Sequence, residues 1–525
     1  MSMTQIRKIK IHNYKRFSDF EVNFDSELNV LIGDNEAGKS SILNAIDLVL
    51  SGSRHKVENV GLDSIFNVAC IQQYLDLHER KYEDLPELYI EVYLSDEGKA
   101  WLHGNGNSKY ENHDGIRFQC SPSDDFGGLI REMLQERDVE FPFEYYSISF
   151  KTFSGESYSG YKRALRHLLL DSSLINNEHA TREYVSSLYD GVVDSLQRSK
   201  NKYAYRSNKR AFEEQVLKEL NGNIQDIDFR IRTGGKSSLS RDLTITESGI
   251  GIEEKGKGRQ SIIKTEYALK NMDDSVSFDV ILLEEPENHL SAVNMQRLIQ
   301  SISDAANQQV IIATHSGSVS ARLDLRKTIM IHHDSDTPAL LEDLKDDTAK
   351  YFIKAPNNNV LQFALAKKVI LVEGDAEYML IDAFFRNKTG KSAYESEVEV
   401  LSVGGTSFKR YMDLAIHLPV KTAIVRDNDG SYDENCVENY EAYAAHEHMQ
   451  IFSEANDELY TFEVVMYTLN REICDELFSP RRRTLSVQDY MLGNKSEIAY
   501  ELLDKKRDEL AVPDYISEAI AWINE

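Results

Sequence analysis

The chain has 525 residues, of which 41% are hydrophobic and 28% charged, so it is long enough for two or three globular domains of ordinary size. It contains no apolar run near the roughly 20 residues of a membrane-spanning helix, and its first residues lack the apolar core of a signal peptide. The four cysteines are scattered without a CxxC pair, which argues against a zinc ribbon or a disulfide framework and favours a reducing cytoplasm.

The formal net charge of −27 argues against nucleic acid as a partner, because phosphate binding usually needs a basic face. Acidic metal sites would account for part of this charge, however, since bound cations invert it locally. Basic residues also cluster: Arg198–Arg210 holds six Lys or Arg and two Tyr, and Arg481–Arg483 forms a second group. Each cluster is either solvated surface or a groove that follows phosphates and stacks bases.

The first 50 residues predict strand, strand, strand and helix. Strands are expected at Ile6–His12, Phe20–Phe24 and Asn29–Ile32, followed by a glycine-rich loop and a helix at Ser40–Leu50.

The middle of the chain alternates between strand and helix patterns. Leu88–Leu94 and Tyr145–Phe153 predict strands. Residues 155–235 are polar and have helical spacing, and we expect them to form a helical insertion that serves self-association. Val280–Leu283 and Val310–Ala313 are short apolar runs typical of a buried parallel sheet.

A second parallel-sheet domain is predicted after a polar stretch, so we place domains at residues 1–345 and 346–525. The pattern there is βαβαβ. Its elements are the strands Lys368–Val372, Val398–Val403 and Thr422–Val425 and the helices Glu377–Phe385 and Phe408–His417.

The loop from Gly33 to Ser40 fits GxxxxGK[ST] between a strand and a helix, which predicts a nucleotide phosphate loop rather than a chance glycine turn. Its backbone N–H groups would surround the phosphates. Lys39 would reach the β- and γ-phosphates, and Ser40 would bind Mg²⁺. The predicted nucleotide-binding residues here are Gly33, Asn35, Gly38, Lys39, Ser40 and Ser41.

Two further strand ends carry polar residues suited to ATP hydrolysis. Glu284 would hold Mg²⁺ through water and Glu285 would polarise the attacking water. His315, after the next strand, has the spacing of a γ-phosphate sensor. The alternatives are a surface acidic turn and a structural histidine.

These motifs, with the leader Ile11–Phe17, resemble the ABC ATPases of the SMC and RecF kind. The resemblance implies ATP binding and places a signature loop at Gly256–Ser261, where Gly256 and Gly258 would cap the nucleotide of an opposite subunit. A flexible Gly/Lys linker is the alternative. Two features depart from the family: Glu284 stands where Asp is usual, and the LSGGQ form of the signature is missing.

A second chemical centre is predicted in the C-terminal half. Glu373 follows one apolar strand, and Asp427 and Asp429 follow another. Ends of parallel strands share one crevice, so these acids should converge, although the DxD alone is also typical of an Asx turn. Clustered carboxylates need hard cations such as Mg²⁺ or Mn²⁺, and two such ions can cut a phosphodiester.

This set, with Gly404–Gly405, resembles a TOPRIM domain. An ABC-type ATPase followed by a TOPRIM domain resembles the OLD (overcoming lysogenisation defect) nucleases, with Glu284–Leu290 and Thr314–Ser316 typical of them. By resemblance, Glu377 and Glu463 would be further metal ligands and Lys495 would stabilise the pentavalent transition state.

The resemblance implies a fold class and a function. The fold is α/β: an ABC/SMC-like P-loop ATPase with a helical dimerisation insertion, then a TOPRIM α/β domain. The function is an ATPase and a Mg²⁺- or Mn²⁺-dependent DNA endonuclease in the bacterial cytoplasm, without membrane attachment and assembled as a homodimer or higher oligomer. Family members often act in antiphage defence beside a helicase or a retron reverse transcriptase with its RNA–DNA product.

Three other interpretations stay open from the residues. One is a non-cutting ATP-driven DNA clamp of the RecF/SMC kind, and another is an ATP-dependent scaffold that recruits a separate nuclease. The third is a type II-like topoisomerase, which would need a tyrosine nucleophile on a separate domain.

Overall fold

A computed structural model describes residues 4–525 except for the segments given at the end of this paragraph. Contacts divide the chain into two compact units: an N-terminal unit, Met1–His315 with Ile331–Pro338, and a C-terminal unit, Ser316–Met330 with Ala339–Glu525. The boundary predicted at residue 345 stays a prediction. The segments left out are 96–97, 135–139, 161, 173–180, 183, 187, 190–192, 222–227, 232–238, 270–277, 305–307, 334, 356–358, 406 and 480–484.

The described strands and helices have the following bounds. The strands are β1 Ile6–Tyr14, β2 Phe17–Asn23, β3 Leu28–Gly33, β4 Leu88–Leu94, β5 His103–Gly104, β6 His113–Pro122, β7 Tyr146–Thr152, β8 His167–Asp171, β9 Thr246–Glu247, β10 Ile250–Gly251, β11 Val280–Glu284, β12 Gln309–Thr314, β13 Thr328–Ile331, β14 Ala339–Leu340, β15 Lys368–Val372, β16 Val398–Ser402, β17 Lys421–Val425 and β18 Met449–Phe452. The α-helices are Lys39–Ser51, Arg54–Val60, Leu62–Ile65, Val68–Leu75, Gly127–Met133, Ser195–Phe212, Lys218–Asn221, Leu239–Asp242, Lys257–Leu269, Ala292–Ser303, Gly317–Arg322, Asp346–Lys354, Val360–Leu365, Asp375–Thr389, Phe408–Ala415, Phe462–Leu469, Arg471–Phe478, Val487–Gly493, Lys495–Lys506 and Asp514–Asn524.

An antiparallel sheet in the N-terminal unit has the order β2-β1-β4-β6-β5, with β7 also paired to β6. Ile9 of β1 pairs with Val22 of β2 on one side and Val92 of β4 on the other. From Ile9 to His12, buried isoleucines alternate with less buried polar residues along β1. This alternation is what a sheet with one covered face requires.

Four parallel strands of the same unit lie in the order β8-β11-β12-β3. Every residue of β11 and β12 is buried, which explains their continuous apolar sequences. Their carboxyl ends are in register, since Glu284 pairs with Ala313 of β12 and Asp171 of β8. One edge of this sheet therefore gathers the residues that follow β3, β11 and β12.

The predicted helical insertion, residues 155–235, differs from the structure at its beginning. His167–Asp171 is a strand of the parallel sheet, because a short apolar run cannot be told from a helix segment by periodicity alone. A helix does occupy Ser195–Phe212, capped by Asp194, and it carries the basic cluster Arg198–Arg210. Much of the remaining insertion, like Arg481–Arg483, lies outside the described residues, and its role in self-association stays a prediction.

The C-terminal unit contains a parallel sheet of order β16-β15-β17-β18, and its βαβαβ pattern is confirmed. The helices Asp375–Thr389, Phe462–Leu469 and Asp514–Asn524 cover it through a shared core that includes Phe384 and Ile516. Each such fully buried side chain contributes about 1.5–3 kcal/mol relative to exposure.

None of the described helices has the length and apolar character needed to cross a lipid bilayer.

Candidate functional sites

The first candidate site is built on the loop between β3 and the helix Lys39–Ser51. Gly38 has φ +94°, in the left-handed region that favours glycine. A Cβ atom on Gly38 would lie 2.5 Å from Cζ of Phe17, so no side chain fits there. Gly33 is equally constrained, because its Cβ would lie 2.3 Å from the carbonyl oxygen of Ile331. These glycines let the backbone close into a phosphate-sized turn.

The ammonium of Lys39 lies over this turn. Its Nζ donates hydrogen bonds to the carbonyl oxygens of Gly33, at 2.7 Å, and Asp34, at 2.8 Å. Burial lowers the pKa of Lys39, and the carboxylates of Glu285 and Asp34 oppose that shift. The ammonium thus lies at the loop where the sequence predicts the β- and γ-phosphates, and that contact stays a prediction. Asn35 and Ser40 are exposed beside it, and Ser41 is partly exposed.

Ser40 and Glu284, the two predicted Mg²⁺ ligands of this site, are brought together. Burial raises the pKa of Glu284, and a hydrogen bond from Ser40 opposes the shift, while the Asp171 and Glu285 carboxylates add to it. The pairing follows from sheet order, since β3 and β11 flank β12. A hydroxyl and a carboxylate in contact provide the oxygen donors that Mg²⁺ prefers.

Glu285 and His315 are also adjacent. Oε1 of Glu285 lies 3.2 Å from Nδ1 of His315, and Oε2 accepts a 2.7 Å hydrogen bond from Nδ2 of Asn288. Glu285 has φ +44°, and its N–H donates to the carbonyl oxygen of Ala313 at 2.8 Å. The sharp turn after β11 thus aims the carboxylate at the end of β12.

Two residues of this loop were missed by the sequence analysis. Asn288 orients Glu285, and Glu287 is buried where it accepts a hydrogen bond from the hydroxyl of Thr314. Both stand in the quoted stretch Glu284–Leu290, but no spacing rule distinguishes a side chain that orients a carboxylate from one that faces solvent.

The predicted signature residues Gly256 and Gly258 lie at the start of the helix Lys257–Leu269. A Cβ on Gly258 would lie 2.6 Å from the carbonyl oxygen of His289, so this segment packs against the loop that follows Glu285. Capping of a nucleotide held by another subunit stays a prediction.

The second candidate site lies at the carboxyl ends of β15 and β17, where Val372 pairs with Val425. Glu373 directly follows β15 and Asp427 lies two residues beyond Val425 of β17, and the N–H of Asp427 donates to the carboxylate of Glu373. Oδ1 of Asp427 accepts a 2.8 Å hydrogen bond from the N–H of Phe462. The two predicted strand-end acids are therefore in contact.

Glu377 joins them from the first turn of the helix Asp375–Thr389 and is 7% exposed. Burial raises its pKa to about 7, and the carboxylates of Glu463 and Glu373 add to the shift.

The pKa of Asp427 is raised further than that of Glu377, and by the same causes. Burial raises its pKa to about 8, the carboxylates of Glu377, Glu373 and Glu463 add to the shift, and the ammonium of Lys495 opposes it. Four acids from separate elements thus repel one another in a single space.

Asp429 lies at the rim of this space. Its Oδ2 accepts a 3.0 Å hydrogen bond from Nη2 of Arg426, and its side chain is half exposed. Burial raises the pKa of Glu373, and the charge of Asp429 adds to that shift, so both acids face the same region. Arg426, which the sequence analysis did not single out, also donates to the carbonyl oxygen of Asp427 at 2.9 Å and thereby braces the whole DxD turn.

Lys495 supplies the positive charge of the site. Its Nζ lies 3.0 Å from Oε2 of Glu463, whose side chain is 3% exposed. Burial lowers the pKa of Lys495, but the bond to Glu463 and the charges of Asp427 and Glu377 outweigh burial and raise it. Lys495 therefore stays charged within the acidic group.

The donor set fits a hard divalent cation, because it consists of carboxylate oxygens whose mutual repulsion a cation would relieve. In the part of the chain that the structure describes, no three His, Cys, Asp or Glu side chains form a ready-made metal site. Raised carboxyl pKa values mean that a cation would have to displace protons on binding.

Comparison with known families matches two segments of the chain. The model "AAA ATPase domain" matches residues 4–99, which include the whole Gly33–Ser41 loop. The model "Overcoming lysogenization defect protein-like, TOPRIM domain" matches residues 365–429, which include Glu373, Glu377, Asp427 and Asp429. The chain joins an AAA ATPase domain to an OLD-like TOPRIM domain. The resemblance to the OLD family predicted from the sequence is confirmed at this level.

Individual relatives each match only part of the chain. It is 25% identical to the Old nuclease of Escherichia phage P2 over 175 residues, 31% of this chain and 30% of that protein. It is 28% identical to the DNA replication and repair protein RecF of Alkaliphilus oremlandii over 100 residues, 19% of this chain and 26% of that one. The match therefore spans less than a third of either relative.

Among solved structures, the C-terminal region of the Burkholderia pseudomallei OLD protein matches 30% of this chain and 97% of its own length. The sequence identity is 17% and the TM-score 0.23, which is too low to support a conclusion.

Glu463 and Lys495 of the TOPRIM site, and Glu284, Glu285 and His315 of the ATPase site, lie beyond the segments matched by the family models. Their placement rests on the structural contacts alone.

Proposed function

We propose that this protein is an ATP-binding endonuclease of the OLD kind that uses Mg²⁺ or Mn²⁺ to cut phosphodiester bonds in DNA. The observation that carries the proposal is the acid cluster of the TOPRIM domain. There Glu373, Glu377, Asp427 and Glu463 come from four separate elements, and three of them have pKa values raised by burial and mutual repulsion. Such a cluster costs stability unless a cation fills it, so a purely structural role would not explain it.

Bound Mg²⁺ or Mn²⁺ would be held by Glu373, Glu377, Asp427, Asp429 and Glu463 and would supply Lewis-acid assistance for phosphodiester hydrolysis. The chain's own groups fix this donor set. The N–H of Phe462 holds Asp427, and the guanidinium of Arg426 holds Asp429.

Lys495 would act on the substrate directly. Its ammonium stays protonated beside the acids, and half of its side chain is exposed. It is therefore placed to balance the negative charge that grows on the phosphate in the transition state, where a fixed cation contributes more than in water.

The ATPase domain would bind ATP with Mg²⁺ through Lys39, Ser40 and Glu284. Glu285, oriented by Asn288 and His315, would accept a proton from the attacking water. Two copies of the chain would complete each nucleotide site, with Gly256 and Gly258 of one copy facing the ATP of the other.

The cellular role follows from the family alone. The protein would work in the bacterial cytoplasm in antiphage defence, beside a helicase or a reverse transcriptase with its RNA–DNA product.

The test is cleavage of plasmid and single-stranded DNA by the purified full chain with Mg²⁺ or Mn²⁺, with and without ATP. The Asp427→Ala variant removes the most strongly perturbed acid, and Asp508→Ala removes an exposed acid of the same domain as the matched control. Metal-dependent cutting that is lost in Asp427→Ala and kept in Asp508→Ala supports the proposal. Equal cutting by both variants would overturn the assignment of this site.

An absence of cutting under every condition, together with ATP-dependent DNA binding, would support the alternative function, an ATP-driven clamp of the RecF/SMC kind. A covalent protein–DNA adduct would instead support a topoisomerase.

A further inference from the structure

An open cavity of about 730 Å³ lies in the C-terminal unit between the helices Asp346–Lys354 and Phe408–Ala415. Three cations line it, Lys345, Lys409 and Arg410, together with the carboxylates of Asp346, Asp347 and Asp413. None of them belongs to the acid cluster described above, and the proposed chemistry does not use them.

One of these cations is neutralised locally. Nζ of Lys345 donates a 2.7 Å hydrogen bond to Asp413, which is 4% exposed and also accepts from the hydroxyls of Thr348, at 2.6 Å, and Tyr443, at 2.8 Å. Burial would raise the pKa of Asp413, but these bonds outweigh it and lower the pKa. Asp413 therefore stays ionised and balances the charge of Lys345.

The other two cations keep their charge available. Lys409 donates a 2.6 Å hydrogen bond to Oδ1 of Asn439, and Nη1 of Arg410 donates a 2.9 Å bond to the hydroxyl of Thr348. Both acceptors are neutral. Within the described ranges of the chain, no carboxylate forms an ion pair with Lys409 or Arg410, and a guanidinium has further N–H donors to offer. This wall of the cavity thus suits a phosphate group.

The cavity is connected to the acid cluster along two routes. The N–H of Gly405 donates to the carbonyl oxygen of Glu373 at 3.0 Å, and the same loop leads into the helix that carries both cations.

The second route runs through side chains. The ammonium of Lys409 lies 5.4 Å from the ring centre of Tyr440. The hydroxyl of Tyr440 accepts a 3.0 Å hydrogen bond from Arg426, which holds Asp429. Two side chains, Tyr440 and Arg426, therefore separate Lys409 from Asp429.

We propose that Lys409 and Arg410 bind phosphates of the DNA strand next to the phosphodiester that is cut. The inference rests on the proposed nuclease function and assigns the substrate-binding side of its site. A polynucleotide fits better than an isolated anion, because two neighbouring cations line an open cavity and Tyr440 and Arg426 link that wall to Asp429 of the acid cluster. Contacts to phosphate alone fix the register of a strand and carry no sequence preference.

The experiment measures the affinity of the full chain for a labelled DNA duplex over a range of NaCl concentrations, with Ca²⁺ in place of the cutting metals. The variant is Lys409→Gln with Arg410→Gln. Lys388→Gln is the matched control, since Lys388 is an exposed lysine in the last turn of the helix whose first turn carries Glu377. Lys409→Arg tests whether positive charge alone is sufficient.

The double variant should bind DNA roughly 10-fold more weakly. Because each phosphate contact contributes about 0.9 to the slope of log affinity against log salt, losing two contacts should make that slope shallower by nearly 2. Lys388→Gln and Lys409→Arg should behave like the wild type, and ATP hydrolysis and melting temperature should not change in any variant. Inorganic phosphate should compete only weakly; a tight phosphate site, or a slope unchanged in the double variant, would overturn the inference.

The result separates this inference from the proposed function. Weakened binding in a protein that cuts no DNA would uphold the phosphate site and reject the nuclease. Normal DNA binding by the Lys409→Gln/Arg410→Gln variant, in a protein whose cutting depends on Asp427, would uphold the nuclease and reject the phosphate site.

Discussion

The ammonium of Lys495 lies 3.0 Å from a carboxylate oxygen of Glu463, although the two residues begin different helices. Glu463 is almost fully buried, whereas half of the Lys495 side chain is exposed. The contact brings together two residues that only a family resemblance had suggested, and it fixes where positive charge enters the acid cluster.

Lys495→Ala should lower the rate of DNA cutting by about 10²–10³-fold, the usual cost of removing one group that stabilises transition-state charge. It should also lower the melting temperature, because Glu463 then stays buried without its cation. Single-turnover cleavage and thermal unfolding measure the two effects.

A second variant separates them. Glu463→Gln with Lys495→Met removes the unpaired charge, so its melting temperature should recover while cutting stays slow. Because Glu463 is also a proposed metal ligand, Glu463→Gln alone is measured beside it, and the further loss of cutting in the double variant belongs to Lys495. Cutting at the wild-type rate in this double variant would show that Lys495 has only a structural role.

Glu285→Gln should slow ATP hydrolysis by about 10²–10⁴-fold while ATP binding is kept, because the amide retains the shape of the carboxylate but cannot accept a proton. Asn288→Ala should give a smaller loss, of about 10-fold, since Glu285 loses one orienting hydrogen bond. Steady-state phosphate release and nucleotide titration measure the two properties. If turnover in Glu285→Gln is normal, the general base lies elsewhere; the exposed Glu156→Gln serves as the control.

Lys39→Ala should weaken ATP binding by at least about 10²-fold, since it removes the ammonium that lies over the phosphate loop and a charge-assisted phosphate contact is worth about 3 kcal/mol. Calorimetric titration with ATP and Mg²⁺ measures the affinity. The exposed lysine variant Lys151→Ala should bind like the wild type. Equal affinity in Lys39→Ala and Lys151→Ala would refute the assignment of the phosphate loop.

Lys264 should make stability depend on pH in the alkaline range. It is 7% exposed, and burial lowers its pKa from 10.5 to about 8, while the charge of Glu253 opposes the shift. Between pH 8 and 10.5 the folded chain binds fewer protons than the unfolded chain, so the free energy of unfolding should rise with pH across this window. Below pH 8 Lys264 is charged in both states, so the full cost of burying its ammonium lowers the free energy of unfolding.

Lys264→Met should therefore stabilise the protein at pH 7 by about 1–3 kcal/mol and remove the alkaline rise. Denaturant unfolding at pH 7, 9 and 10.5 measures both effects, with the exposed Lys257→Met as the matched control. A parallel pH dependence in wild type and Lys264→Met would contradict the prediction.

Much of the fold could be predicted from local pattern, because the decisive segments are continuous in sequence. The strand Leu88–Leu94 has the predicted bounds, and Lys368–Val372 does as well. The strand His167–Asp171 was hidden in a stretch assigned to helices, since its pairing with β11 depends on residues more than a hundred positions away.

The sequence by itself determined the parts whose chemistry is local. The Gly33–Ser40 loop has the glycine spacing of a phosphate loop that would bind through its own backbone, and the strand-end acids Glu284, Glu373 and Asp427 follow apolar runs that must be buried. Only the tertiary structure decided which side chains act on one another. It placed Asn288 on Glu285, Arg426 on Asp429 and Lys495 on Glu463, and it left Lys409 and Arg410 without carboxylate partners among the described residues. The physical reason is that a backbone turn or a buried strand is encoded over a few consecutive residues, whereas an ion pair forms between elements that meet only after the sheet and its covering helices have packed.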